Sequence, residues 1–420
     1  MTDLTPPPLA NDCFALPPGV DWTPVDEALA ALRDRLAPVT GTETIRAVDG
    51  LGRILAVPVI AGRSNPPQPN SAVDGYGFAH AGVVPGPNRM PLVEGRSAAG
   101  EPFPGTVPPG HAIRILTGAT IPAGVDTVIL QEDIATDGQN IAFHGPLKPG
   151  ANTRRAGEDV DDGDEILPVG RRLTPADIAL MTAVGVDRIE VRMPLRVGVI
   201  STGDELAEAG TKARADQIYD ANRPMLLAMA ARLGFVPVDL GRVADDRDSL
   251  RAAMDAASTA ADVILTSGGA SAGDEDHVSA LLKESGSLSH WRIAIKPGRP
   301  LALAMWNGTP VFGLPGNPVA AMVTALIFAR PAFGMLAGEG WNLPEPLLLP
   351  AAFSKSKKPG RREYLRARLR DGRVEVFGSE GSGRISGLSW AEGLVELPDE
   401  AAEIAPGTLV RYLPYAAFGL

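Results

Sequence analysis

The sequence predicts a multidomain α/β and β protein, in which a doubly wound α/β domain is joined to β-rich regions. Three observations predict it. The chain has 420 residues, about three domains at ~150 residues each. From about 195 to 340, short apolar runs alternate with segments of helical periodicity, the pattern of a parallel sheet with helices on both faces. From about 58 to 160, and again after 341, the chain is dense in turn residues and short apolar runs, which reads as β structure.

Composition narrows the function. Hydrophobic residues make up 45% and charged residues 21%, ordinary for a globular chain. The net charge of -11 argues against nucleic-acid binding, and an anionic substrate needs local cations or a bound metal. A single cysteine, Cys13, excludes an intramolecular disulfide and fits a reducing compartment. The five histidines are scattered without zinc or haem spacing. The first twenty residues lack Lys and Arg and do not read as a signal peptide, and no apolar run is expected to span a bilayer. The expectation is a cytoplasmic protein with no membrane segment.

Residues 1–20 form a Pro-rich arm. From Trp22 to Leu36, Val25, Leu29, Leu32 and Leu36 recur at helical spacing, with Asp21 or Thr23 as the cap. RILAVPV and TVILQED read as strands, and Thr174 caps a helix to Val184 with Pro175 at its first position. RVGVIST is the first strand of the α/β pattern. A helix then opens at Asn222-Arg223-Pro224 and runs to Leu233, followed by the strand FVPVDLG, a helix Asp246–Ser258 and the strand ADVILTS. A helix Asp276–Glu284, the runs WRIAI, LALAM and VFGLPG, and a helix from Asn317-Pro318 complete it. The β-like tail carries nine Lys/Arg between Lys355 and Arg373, among them Arg366.

Open α/β sheets bind ligands beyond the carboxyl ends of their strands. The residues after each strand are therefore the candidates: Thr202-Gly203-Asp204-Glu205, Asp245-Asp246, Gly268-Gly269-Ala270-Ser271 with Asp274-Glu275-Asp276, Lys296-Pro297-Gly298-Arg299-Pro300, and Pro315-Gly316-Asn317-Pro318. Three acidic loops on one rim repel unless a cation sits between them. Mg²⁺ with oxygen ligands resolves this and brings a phosphate with it. The same acids equally suit helix N-termini as caps, and Gly268-Gly269 equally suits a tight turn. Asn317-Pro318 is cap chemistry that also leaves an anion site. Lys296 and Arg299, fixed by a Pro-Gly turn, suit an anion.

An ordered set of motifs spans about 350 residues. It comprises Asn70-Ser71-Ala72-Val73-Asp74-Gly75-Tyr76, Thr117-Gly118-Ala119 with Pro122-Ala123-Gly124, and Arg154-Arg155-Ala156-Gly157-Glu158-Asp159. It continues with Ser201-Thr202-Gly203-Asp204-Glu205-Leu206, Tyr219-Asp220-Ala221-Asn222, SGGASAGDED, IKPGRP and GLPGNPV. In these the chain resembles the molybdopterin molybdenumtransferases, the MoeA and gephyrin E-domain family. The resemblance implies a discontinuous elongated domain (21–57 with 161–194), a β-rich lobe inserted at 58–160, an α/β domain at 195–340 similar to molybdopterin adenylyltransferases, and a C-terminal β-barrel at 341–420. It implies a homodimer with a composite active site, in which adenylylated molybdopterin and molybdate react with Mg²⁺ and AMP leaves. Glu205, Asp245 and Asp276 match acids around the metal, and Lys296 and Arg299 match cations that bind molybdate and phosphate. Arg366 matches an arginine near molybdate, and Ser386, in SGRISGLS, matches a family serine. Asp74, Thr117, Arg154 and Asp159 match positions that reach the partner's site. Molybdopterin adenylyltransferase and molybdoenzyme chaperones are the implied protein partners.

There are departures. Arg299 replaces a second lysine and Val73 a methionine, Arg292 stands where some members have lysine, and Glu392 replaces an asparagine. Competing readings are an adenylyltransferase acting on molybdopterin, a tungstate-preferring paralogue, and a scaffold module.

Overall fold

The computed structural model describes residues 22–268, 277–284, 289–298 and 300–420. These fall into two compact units, 43–191 and the remainder.

In the unit 43–191, a six-stranded sheet runs in the order Thr127–Leu130, Gly75–Phe78, Ala112–Ile115, Gly86–Ser97, Asn140–Gly145, Ala135–Thr136. Phe78, Met90, Ile129, Ile141 and Phe143 fill its core, and the rings of Phe78 and Phe143 stack at 5.1 Å. A second core gathers Leu55, Leu167, Leu173, Met181 and Val191 around the helix Pro175–Ala183. That helix begins as the sequence expects. Thr174 accepts from the Asp177 N–H while Asp177 accepts from the Thr174 N–H, a reciprocal cap with proline at the first turn. RILAVPV does not form one strand. Ile54 and Leu55 make single bridges and only Val59–Ile60 pairs, with Glu165–Leu167, because Pro58 has no N–H to give a ladder.

In the other unit, the helix Val25–Arg35 buries Val25, Ala28, Leu29 and Leu32. Its cap position is Pro24, and no side chain caps it; Thr23 instead bridges Ile293. The α/β sheet has six strands: β1 Arg196–Thr202, β2 Val236–Val243, β3 Val263–Ser267, β4 Ser289–Arg292, β5 Pro300–Trp306 and β6 Thr309–Leu314. Their order is β2-β1-β3-β6-β5-β4. The first four are parallel, as expected, but β5 and β4 are antiparallel additions. The reversal comes from Asn307-Gly308, both at positive φ, which join β5 to β6 in a two-residue hairpin.

Helices Arg247–Ala260 and His277–Glu284 pack Leu250, Met254, Val278 and Leu281 on one face of this sheet. The run Pro318–Ala337 packs Phe333 edge-on to Phe312. This run is long and apolar enough to cross a membrane, contrary to the sequence expectation, yet its apolar stretch is 83% buried, as a core helix is. A π segment, Ala325–Ala329, precedes Pro331, which cannot donate to the carbonyl one turn back.

Beyond it lie β7 Leu347–Pro350, β8 Arg362–Arg370, β9 Arg373–Val376, β10 Gly393–Leu397 and β11 Leu409–Pro414. They pair as β9-β8-β10-β11-β7. Ala351, just past β7, bridges Val374 in β9 and closes the ring around Leu365, Ala367, Val395, Leu397, Val410 and Tyr412. The WRIAI run is divided between the two sheets. Its first part is β4; Ile295–Lys296 pairs instead with Arg362-Glu363 at the start of β8.

Candidate active site

The parallel strands β2, β1, β3 and β6 end on one rim, so the loops after them meet there. Because β5 runs antiparallel to β6, with Ala302 opposite Gly313, the turn before β5 reaches the same rim. Backbone crowding selects the glycines. Gly268 has φ +93, and a Cβ there would lie 2.7 Å from the Thr202 carbonyl oxygen. At Gly298, φ +102, a Cβ would lie 2.8 Å from Thr324 and 3.6 Å from Pro315. Only glycine allows such close approach. The 202–205, 268, 296–298 and 315–317 loops therefore form one contiguous rim.

Asn222 fastens two of these loops. Its Nδ2 donates to Ser267 Oγ at 2.8 Å and to the Gly316 carbonyl at 2.7 Å. Its Oδ1, with Ser201 Oγ and Thr266 Oγ1, is buried with no protein hydrogen-bond partner among the described residues. Sequence reasoning placed Asn222 in a motif without giving it this role. Its neighbour Arg223 is buried too, paired with Asp220 at 3.2 Å, Asp239 at 2.6 Å and Glu208.

The candidate acids occupy adjoining loops. The Glu205 carboxylate folds back over Gly203, where a Cβ would meet its Oε2 at 2.6 Å. The N–H of Asp245 donates to Asp204 Oδ1 at 3.5 Å, which brings the loops after β1 and β2 together. Asp246 caps the next helix through Ser249 N–H at 2.9 Å, and that bond lowers its pKa. Oxygen-only donors on neighbouring loops fit a hard divalent cation. Among the described residues no three candidate ligands surround one point. Asp276, with Asp274, Glu275, Gly269, Ser271 and Arg299, lies outside the described residues.

The cationic side of the rim is built jointly with the barrel. Lys296 Nζ donates to Glu380 Oε2 at 2.6 Å and to Glu363 Oε1 at 3.4 Å. Lys355 reaches Glu380 Oε1 and makes a 3.2 Å charge contact with Glu363 Oε2. Lys296, Lys355 and Glu380 line a cavity of about 80 Å³ together with Arg366 and Phe377. Burial alone would lower the Lys355 pKa, but Glu380 and Glu363 outweigh it and raise it. Burial would raise that of Glu380, but Lys296 and Lys355 bring it down.

Arg366, one of the predicted residues, is buried. It donates to the carbonyls of Arg384 at 2.5 Å, Gly381 at 3.2 Å and Ser379, and lies 4.8 Å over the Phe377 ring. Its guanidinium thus shapes the 379–384 loop, and burial lowers its pKa. That loop docks on the α/β rim, where the Val319 N–H donates to the Ser382 carbonyl at 3.1 Å. Asn317 holds the helix cap position without a side-chain bond, Pro318 follows at the first turn, and Pro300 begins β5. Ser386 is exposed at the start of the helix Ser386–Trp390, and Glu392 pairs with Arg370 at 2.7 Å. Lys355 entered only as one of nine cations in the basic stretch, and Glu363 and Glu380 were given no role from the sequence.

In the unit 43–191, Asp74 accepts from the Thr117 N–H and Oγ1, both at 2.7 Å. The backbone bond first, then the hydroxyl, lowers its pKa. The Thr153–Arg154 strand pairs with Asn70–Ser71, close in sequence to Asp74. Asp159 accepts from Asn65 Nδ2 at 3.0 Å. The structure therefore joins Asp74 to Thr117 directly and leaves Arg154, in its short strand, and Asp159 exposed in the same unit.

Family models cover most of the chain. The MoeA N-terminal region (domain I and II) matches residues 23–185, a probable molybdopterin binding domain 198–334, and the MoeA C-terminal region (domain IV) 349–415. A Haemophilus influenzae protein named molybdopterin molybdenumtransferase is 35% identical, over 93% of this chain and 98% of its own. A Mycobacterium tuberculosis molybdopterin molybdenumtransferase 2 is 34% identical, over 92% and 96%. The crystal structure of the molybdopterin biosynthesis moeA protein from Pyrococcus horikoshii OT3 superposes with a TM-score of 0.82 at 27% identity, over 94% of this chain and 100% of that one. With its rim, barrel and lobe matched from end to end, the chain belongs to the MoeA family of molybdopterin molybdenumtransferases.

Proposed function

We propose that the protein inserts molybdate into adenylylated molybdopterin with release of AMP, the final step of molybdenum cofactor biosynthesis. The observation that carries this is the rim itself: glycine turns, paired acidic loops and Lys296 converge on one edge of the sheet. Relatives along the whole chain bear the name of that reaction.

In this reading the rim glycines and the Pro315-Gly316-Asn317 turn receive the pterin phosphate, with Asn222 fixing the turn from behind. Glu205, Asp245 and Asp276 would hold Mg²⁺, which would supply charge neutralisation for the pyrophosphate. Lys296, with Arg299, balances the charge of the anions. An oxygen of water or of molybdate attacks the pyrophosphate phosphorus, the P–O bond to AMP breaks, and the two dithiolene sulfurs bind molybdenum as one molybdate oxygen leaves with the two thiol protons as water. No covalent enzyme intermediate is required. The protein acts as a cytoplasmic homodimer, and Asp74, Thr117, Arg154 and Asp159 serve the partner's site. It receives substrate from an adenylyltransferase and passes product to molybdoenzyme chaperones.

The test is AMP release by purified protein from adenylylated molybdopterin and Mg²⁺, with molybdate and with tungstate separately. Release dependent on molybdate is expected. Its absence with folded protein rejects the reading, and release only with tungstate reassigns the oxyanion.

A further inference from the structure

The cavity at the junction of β8 and the rim is lined by two ammonium groups and the Glu380 carboxylate, and a second carboxylate, Glu363, contacts both lysines. The two carboxylates are held differently. Glu363 sits within β8, paired in backbone with both Lys296 and Leu397, and its side chain is only 10% exposed. Glu380 belongs to the loop after β9, and its side chain is 44% exposed. It spans both lysines, one through each oxygen. A carboxylate bridging two ammonium groups is an oxyanion already in place. With Glu380 turned outward, Lys296, Lys355 and Glu363 would leave one uncompensated positive charge beside the cavity.

We propose that Glu380 is an internal competitor for the oxyanion at Lys296 and Lys355, and so sets the affinity of this subsite. An incoming tetrahedral oxyanion takes the place of the Glu380 carboxylate, and Glu380 turns to water. The fixed Glu363 keeps the lysine pair from over-binding the anion. The proposal rests on the reading of Lys296 as an anion-binding residue. It assigns a specificity-determining role to Glu380 and a binding role to Lys355.

The experiment compares full-length wild type with Glu380→Gln, Glu380→Asp and, as a control, Glu375→Gln. Glu375 pairs with Arg368 at 2.9 Å and contacts neither lysine. Molybdate, tungstate and sulfate are titrated calorimetrically without nucleotide, and AMP release is measured against molybdate. Glu380→Gln keeps the shape and removes the charge, and is expected to bind molybdate roughly two- to fivefold more tightly, the range for a partly exposed ion pair. Its KM for molybdate should fall by the same factor. Glu380→Asp, with the carboxylate withdrawn by one methylene, should fall between, and Glu375→Gln should stay within about twofold of wild type. Unchanged or weaker binding in Glu380→Gln overturns the proposal. So does a lowered Tm with no gain in affinity, which makes the four charges structural only. If wild type releases no AMP but Glu380→Gln still binds the oxyanion more tightly, the proposed reaction fails and the competition stands.

Discussion

Asn222 shows how one amide can hold a site. Both its N–H bonds cross between elements, and its removal leaves Ser267 Oγ and the Gly316 carbonyl without that donor. Asn222→Ala is expected to destabilise the protein by about 1–3 kcal/mol, the range for losing buried hydrogen bonds, as read by urea unfolding. AMP release should fall further than that loss of stability explains, because the 315–317 turn is freed. Lys296→Ala is expected to lower AMP release at least ~100-fold while moving Tm by only a few degrees, because Glu380 is partly solvated and the buried Glu363 keeps its contact with Lys355. The sequence showed Lys296 as a fixed cation after an apolar run. It did not show the residues that hold it, because Glu363 and Glu380 lie 67 and 84 positions away. At Asp246 two readings were open, and the bond to Ser249 selects the cap.

Elements were legible where local chemistry decides them. The helix Pro175–Ala183 follows from Thr174 and Pro175, and Thr174→Ala should cost about 1 kcal/mol of stability by thermal or urea unfolding. Asp177 in the same cap is subject to burial, which would raise its pKa, but bonds from Arg171 and Thr174 outweigh this and hold it below the usual carboxylate value. Its contribution is therefore complete above the unfolded carboxylate pKa, ~4, and is lost as pH falls through the lower folded value. Stability measured from pH 6 downward should show this loss in wild type and less of it in Asp177→Asn. The antiparallel turn at Asn307-Gly308 was equally visible, as an Asn-Gly pair between apolar runs, but the alternation of strands and helices led to an all-parallel expectation. The break inside WRIAI had no local sign. Pairing with β8 takes Ile295–Lys296 out of the α/β sheet, and that is a long-range choice.

At the scale of the molecule, the ordered motifs carried the family, while barrel closure was hidden. Closure depends on Ala351 meeting Val374, a contact that no periodicity in the sequence specifies. The proposed homodimer leads to a mixing experiment. Asp74→Asn and Lys296→Ala chains, each inactive alone, should recover AMP release when co-assembled, because a mixed dimer holds one site with both residues intact. Sedimentation should give twice the 43.8 kDa chain mass, and failure to recover activity in a proven mixed dimer places both residues in the same chain's site.

Lys296 sits on a backbone ladder that belongs to the barrel, and the Arg362 N–H closes that ladder onto the Ala294 carbonyl at 2.8 Å. The reach of the lysine is thus calibrated from the far end of the chain. A protein cut at residue 340 would retain the glycine turns of its sheet, yet lose the mooring of the Lys296 charge. If Lys296 binds the oxyanion as proposed, drift in the barrel strands among relatives would retune that affinity without altering any residue of the glycine turns.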